Sequence, residues 1–119
     1  MLFICNNILM GVKPKAIGEF KTAEGINHYR RWLESLKDPI GKAQAEVRIK
    51  RLAKGNAGDS APVGEGVQEL RIDVGPGYRI YFGEHGDTLV LLLCGGDKST
   101  QKKDIKLAKK LWSQAKEIL

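Results

Sequence analysis

Five side chains in one stretch of this chain, Arg71, Arg79, Tyr81, Asp97 and Lys98, have the types and spacing to work on a phosphate ester. An arginine presents a planar fork of donors that can grip two phosphate oxygens, and it stays charged at any working pH. A lysine adds a compact positive charge, while a phenol or a carboxylate can carry a proton. All five fall within residues 67–98, VQELRIDVGPGYRIYFGEHGDTLVLLLCGGDK, which also hold Glu69. Alternating charges on the outward face of a sheet are ordinarily just solvated. Here they are carried on strands joined by Gly-rich turns, and loops on a rigid scaffold are where binding and catalysis concentrate.

Strand periodicity is what must bring these groups together. Leu70, Ile72 and Val74 alternate with Glu69, Arg71 and Asp73, and Tyr78, Ile80 and Phe82 alternate with Arg79, Tyr81 and Gly83. The GPG of residues 75–77 predicts a turn between the two runs, and Gly86 with Asp87 predicts a second hairpin. If the apolar faces pair, Arg71, Arg79 and Tyr81 share the opposite face. Residues 88–94 are apolar on both faces, which predicts a central strand covered on each side. The GGDK of residues 95–98 then leaves that strand beside the arginines, without the spacing of a P-loop.

Residues 15–21 predict a short first strand. Thr22 predicts the cap of a first helix, in which Ile26, Tyr29, Leu33 and Leu36 recur at helical spacing up to a stop at Lys37. Asp38 and Pro39 predict the N-cap and first position of a second helix. Its buried side is expected to carry Ile40, Ala43 and Val47 with Ala45, Ile49 and Leu52 beside them, and Gly55 closes it. Lys42, Arg48, Lys50, Arg51 and Lys54 read as its solvent side, and residues 55–62 as a turn-rich linker. Ser99 or Thr100 predicts the cap of a last helix carrying Ile105, Ala108, Leu111, Trp112, Ala115 and Ile118 at helical period. Lys102 and Lys103 at its start would strengthen binding to a polyanion. The expected fold is α+β: two N-terminal helices on one face of a mainly antiparallel sheet of about four strands, with a further C-terminal helix.

The chain has 20 Lys and Arg against 14 Asp and Glu, a formal net charge of +6 over 119 residues, so a polyanion or an acidic protein is the expected partner. That length suits one domain over residues 15–119, with residues 1–14 as a segment apart from it. Cys5 and Cys94 offer neither metal-ligand spacing nor a disulfide framework, which suits a reducing cytosol. No cofactor motif, zinc spacing, nucleophile elbow or Walker loop is present, so no cofactor or metal is expected. The apolar run of residues 2–10 is interrupted by Asn6 and Asn7 and falls short of the ~20 residues a membrane span needs. It also lacks the charged start of a signal peptide, so a cytoplasmic protein without membrane contact is expected.

The strings WLESLKD (residues 32–38), GNAGD (55–59), PVGEGVQELRIDVGPGYRIYF (62–82) and LLCGGDKSTQKKDI (92–105) resemble the RelE/ParE toxin superfamily. Within it they are most similar to the HigB-like addiction module killer proteins, which are related to a phage-encoded group. The similarity runs in order from about residue 20 to residue 112. The resemblance implies a RelE-like fold and a toxin of a type II toxin-antitoxin pair, a ribosome-dependent endonuclease that cuts messenger RNA and stops translation. It implies a cognate antitoxin, commonly a helix-turn-helix protein, through which alone the assembly would bind operator DNA. Relatives begin near the first strand, so one reading is translation from Met10, with an extra strand or a frayed tail as the alternatives for the N-terminal segment.

Metal-free RNA cleavage needs a base for the ribose 2'-hydroxyl, positive charge for the crowded phosphate in the transition state, and an acid for the leaving 5'-oxygen. By resemblance, Arg79 of the GYR string stabilises that transition state with Arg71 beside it, and Asp97 and Lys98 match the position of another active-site group. Tyr81 and Glu69 are further groups on the same stretch. RelE-type members use a tyrosine in the C-terminal segment, but no tyrosine follows Tyr81; HigB-type members use histidines, and only His28 and His85 are present, each of which reads as a surface or capping residue. Acid and base therefore stay open. The superfamily also holds ParE-like gyrase inhibitors, which act by binding, and a third reading is a non-catalytic RNA-binding module on the same scaffold.

Overall fold

The protein, as a computed structural model, is described over residues 14–119. The expected N-terminal segment and the start at Met10 lie outside the described residues, save for Pro14. Strands β1 (Ala16–Glu19), β2 (Ser60–Gly64), β3 (Val67–Ile72), β4 (Tyr78–His85) and β5 (Leu89–Asp97) form one sheet in the order β1-β5-β4-β3-β2. All neighbours are antiparallel except β1, which runs parallel to β5. Helices α1 (His28–Ser35) and α2 (Pro39–Ala53) precede β2, and a 3-10 turn (Lys98–Thr100) leads from β5 into α3 (Gln101–Lys116). The α+β class is as expected, with a mixed sheet of five strands instead of about four. None of the helices is long and apolar enough to cross a membrane.

The added strand is β2, which begins within the stretch that reads as a linker and runs two residues past it. Pro62 and Gly64 disguise it, and a register shift falls between them. Proline is tolerated there because an edge strand has an unpaired side.

Both faces of the sheet are covered, which accounts for the two-sided apolar run of β5. One face packs Leu70, Ile72, Ile80, Phe82, Val90 and Leu92 under α1 and α2. On the other, Val67, Tyr81, Leu93 and Cys94 meet Ala108, Leu111, Trp112 and Ala115 of α3. A bulge makes this possible: Tyr81 pairs with Cys94 and Phe82 with Leu92, so Leu93 is an extra residue on β5. An inserted residue shifts the alternation, and Leu93 and Cys94 therefore join the same cluster.

Glycines admit the covering side chains. A Cβ on Gly95 would lie 2.2 Å from the Trp32 ring, one on Gly83 would lie 2.5 Å from Trp112, and one on Gly41 would lie 2.3 Å from Tyr78. The last contact explains a correction to α2. Its buried residues are Gly41, Ala45 and Leu52, while Ile40 is 65% and Val47 39% exposed. The helix approaches the sheet along its smallest side chains, turning Ile40, Ala43 and Val47 outward.

The helix ends also depart from expectation in part. Asp38 caps α2 as predicted, accepting from the backbone of Ile40 and Gly41 at 3.0 and 3.1 Å. In α1 the cap is Asn27, not Thr22, because Thr22 closes a turn by accepting from the Ile26 N–H at 3.1 Å and Gly25 has φ +87°. The helix stops at Ser35, since Leu36 and Asp38 are extended ahead of Pro39. Thr100, one of the two residues expected, stands at the N-cap of α3 but makes no side-chain cap hydrogen bond, while Asp97 caps the preceding 3-10 turn by accepting from Ser99 N–H at 2.8 Å.

Gly95→Ala and Gly83→Ala should each destabilise the domain by about 1–3 kcal/mol, the usual cost of overpacking. That corresponds to a fall in Tm of several degrees in thermal denaturation followed by circular dichroism. An unchanged Tm would show that the indole rings can yield.

Candidate active site at the rim of the second sheet face

Arg71 on β3 and Arg79 on β4 are direct cross-strand partners. Like charges placed opposite each other repel, so something must neutralise them. Glu69, two pairs along and opposite Tyr81, does so. Its Oε1 accepts from Arg71 Nε at 3.1 Å and faces Arg79 Nε at 3.7 Å, an ion pair too long for a hydrogen bond. Its Oε2 accepts from Tyr81 Oη at 3.0 Å and from Gln101 Nε2, at the start of α3, at 2.7 Å. Burial pushes the Glu69 carboxyl up, but the hydrogen bonds from Gln101, Arg71 and Tyr81, with the charge of Arg79, outweigh it and hold its pKa below the ordinary 4.5.

The two arginines differ in exposure: the Arg71 side chain is 41% accessible and that of Arg79 12%. Arg71 Nη1 also faces Asp59 at 3.7 Å, a pair too exposed to contribute much. Arg79 folds back over the turn before it, and its Nη1 donates to the carbonyls of Gly77 and Tyr78 at 3.2 and 3.3 Å. Gly77 permits this with φ +80°; a Cβ there would lie 3.4 Å from Arg79 Nη1 and 3.6 Å from the Cβ of Lys98. Lys98 is exposed, and its Cβ lies near the same glycine as Arg79 Nη1. Lys102 and Lys103 line an open recess with Ser99, Thr100 and Lys106. Their neighbour Gln101 is anchored on Glu69, so that recess opens at the same end of α3 as the arginine pair.

Two of the residues named for chemistry are otherwise engaged. Tyr81 is fully buried, and burial, with the hydrogen bond to Glu69 and its charge, raises its hydroxyl pKa far above the usual phenol range. Asp97 binds both the backbone and the hydroxyl of Ser99, which lowers its pKa and makes it a turn cap. The shared face is thus not open to solvent as the alternation implies, because α3 lies across it and only its rim is accessible. His28 and His85 stand apart, at the start of α1 and the far end of β4. Cys94 is buried, and its thiol is pushed up to about 12 by burial and the charge of Asp104.

Two participants escape a reading of the sequence. Gln101 looks like an ordinary first-turn residue, and Arg48 like a solvent-facing one. Arg48 instead donates to the carbonyl of Arg71, and to those of Ala57 and Asp59 at 3.0 and 3.1 Å, tying α2 to the strand that carries Arg71. Glu69 had a visible signal, since it lies two residues from Arg71 and therefore on the same side of β3.

No family model matches the chain. Over 80 residues, 67% of this chain and 81% of the other protein, it is 58% identical to an uncharacterized protein of Haemophilus influenzae. The chain belongs to the same family as that protein.

Acid titration should expose Glu69. A carboxylate with a lowered folded pKa contributes stability that is complete above its unfolded value and is lost as pH falls through the folded one. Urea unfolding measured from pH 7 to pH 3 should therefore show no Glu69 contribution to the pH dependence above about pH 5, and a loss below 4.5. Glu69→Gln should be less stable at pH 7 and lack that acid-dependent component. A variant keeping the full acid-dependent fall would place its source elsewhere.

Proposed function

We propose that this chain has a RelE-like fold and is the toxin of a type II toxin-antitoxin pair, a metal-independent, ribosome-dependent endonuclease acting on messenger RNA. The observation that supports this best is the cross-strand pair Arg71 and Arg79, with the Cβ of Lys98 near the same glycine, Gly77, as Arg79 Nη1. Two guanidiniums set on one carboxylate, with a lysine carried on the adjoining turn, suit a phosphate whose charge grows in the transition state. Lys102, Lys103 and Lys106 line a recess beside the start of α3 and add positive charge that would favour a polyanion. The resemblance of the ELRIDVGPGYRIYF and CGGDK strings supplies the reaction class. Its partner would be an acidic or amphipathic antitoxin, a helix-turn-helix protein by resemblance, covering this basic rim in the cytoplasm and alone contacting operator DNA.

In this reading Arg71 and Arg79 bind and stabilise the phosphate, Lys98 adds charge or a proton, and Asp97 holds the turn that presents Lys98. Tyr81 supports Glu69 from below. One feature favours the second reading, a ParE-like gyrase inhibitor acting by binding: Tyr81 is enclosed, Asp97 is a cap and Glu69 is 1% exposed, so these three groups are committed to structure. A non-catalytic RNA-binding module would share the same surface.

Expression without an antitoxin should arrest growth and produce new 5' ends within translated codons. Arg79→Ala should reduce those cuts on the order of 100-fold, the usual effect of removing one preorganised donor. Replacing Lys102 and Lys103 together by Ala should weaken RNA binding and flatten its salt dependence by about 1.4 log units per log unit of salt, at ~0.7 for each lost charge. Arrest with intact messages and altered DNA supercoiling would instead establish the gyrase reading.

A further inference from the structure

We infer that Glu69 and Gln101 are the positioning residues of this site: the Glu69 carboxylate, held by Gln101 and Tyr81, fixes the Arg71 and Arg79 guanidiniums so that their outer donors form one preorganised phosphate fork. The catalytic consequence rests on the nuclease reading above; the positioning itself does not.

Glu69 is 1% exposed, and both its oxygens are occupied. Such a group cannot reach a ribose hydroxyl, so it acts through its neighbours. Those neighbours are the arginines, each addressed at Nε, the inner edge of the guanidinium. The hydrogen bond at Arg71 Nε and the charge contact at Arg79 Nε set the two guanidiniums about one carboxylate oxygen. Arg79 Nε is also the buried side-chain nitrogen that has no hydrogen-bond partner among the described residues, so its orientation relies on the charge of Glu69 at 3.7 Å and on the carbonyls of Gly77 and Tyr78. Glu69 is in turn fixed from two separate elements, Tyr81 of β4 and Gln101 of α3. Gln101 is the one that sits at the rim, half-buried, where a purely packing role would not require an amide aimed at a carboxylate.

The test follows the arginine Nε–H signals by nitrogen-15 NMR, assigned with Arg71→Lys and Arg79→Lys, alongside single-turnover cleavage of messenger RNA on programmed ribosomes. The wild type should give resolved, slowly exchanging Nε–H signals for both arginines. Glu69→Gln should shift or broaden them and lower kcat by about 10- to 100-fold with KM changed far less, as expected when reacting groups are misplaced but still present. Gln101→Met, at the rim and less demanding on folding, should produce the same changes to a smaller degree, and it carries the test if Glu69→Gln does not fold. Unchanged arginine signals in the folded variant, or unchanged kcat, would overturn the inference. Absence of cleavage by the wild type would remove the nuclease reading, and the arginine signals would then decide the positioning claim by themselves.

Discussion

Two guanidiniums set directly opposite each other on neighbouring strands repel, and the Arg71–Arg79 pair persists because one buried carboxylate stands next to both. Burying Glu69 is costly by itself. The cost is offset because three elements deliver donors to it: β3 through Arg71, β4 through Arg79 and Tyr81, and α3 through Gln101. The sheet register, the seating of the C-terminal helix and the charge of the rim therefore meet at one side chain. A one-residue slip between β3 and β4 would place Tyr81 and the arginines on faces where Glu69 could not join them.

The seating of α3 has a second determinant, which is steric. Trp112 lies against Gly83, and the Asp104 carboxylate occupies the space a Cβ on Gly96 would need, with Thr100 donating to that carboxylate. These contacts fix the helix both along and across the sheet, so Gln101 arrives within 2.7 Å of Glu69. The opposite face repeats the device with Trp32 over Gly95 and Tyr78 over Gly41, while Tyr78 Oη donates to Asp38 at 2.9 Å and joins the cap of α2 to the turn before Arg79. Side-chain-free positions in the central strands thus serve the rim from both sides.

Much of this is local and therefore legible in the sequence. The alternation in residues 67–83 places Arg71, Arg79 and Tyr81 on one face, the two-sided apolar run predicts a covered β5, and Asp38 with Pro39 marks the start of α2. What escapes depends on contacts distant in sequence. Pro62 and its glycines hide β2, because edge pairing depends on a partner strand and not on composition. The bulge at Leu93 reverses the expected side of Cys94, and no local pattern announces it. The buried side of α2 follows Gly41 because Tyr78, 37 positions away by residue number, needs the space. Arg48 and Gln101 look solvent-facing because their acceptors, Arg71 carbonyl and Glu69, come from strands far along the chain.

The rim has charge in abundance and little proton chemistry, and this asymmetry bears on how the proposed reaction would proceed. Tyr81 and Glu69 are committed to each other, and the hydrogen bond between them lowers the Glu69 pKa and raises that of Tyr81. Lys98 is exposed on the turn that adjoins Gly77 and would be the group to meet a leaving oxygen in that reaction. Catalysis by such a site would draw mainly on charge stabilisation and alignment, the terms that preorganised donors supply best. Alignment is also what a translating ribosome imposes on messenger RNA, since it holds the strand in a defined path. A small protein that brings a fixed fork of positive charge to an already oriented phosphate divides the work with its substrate's support.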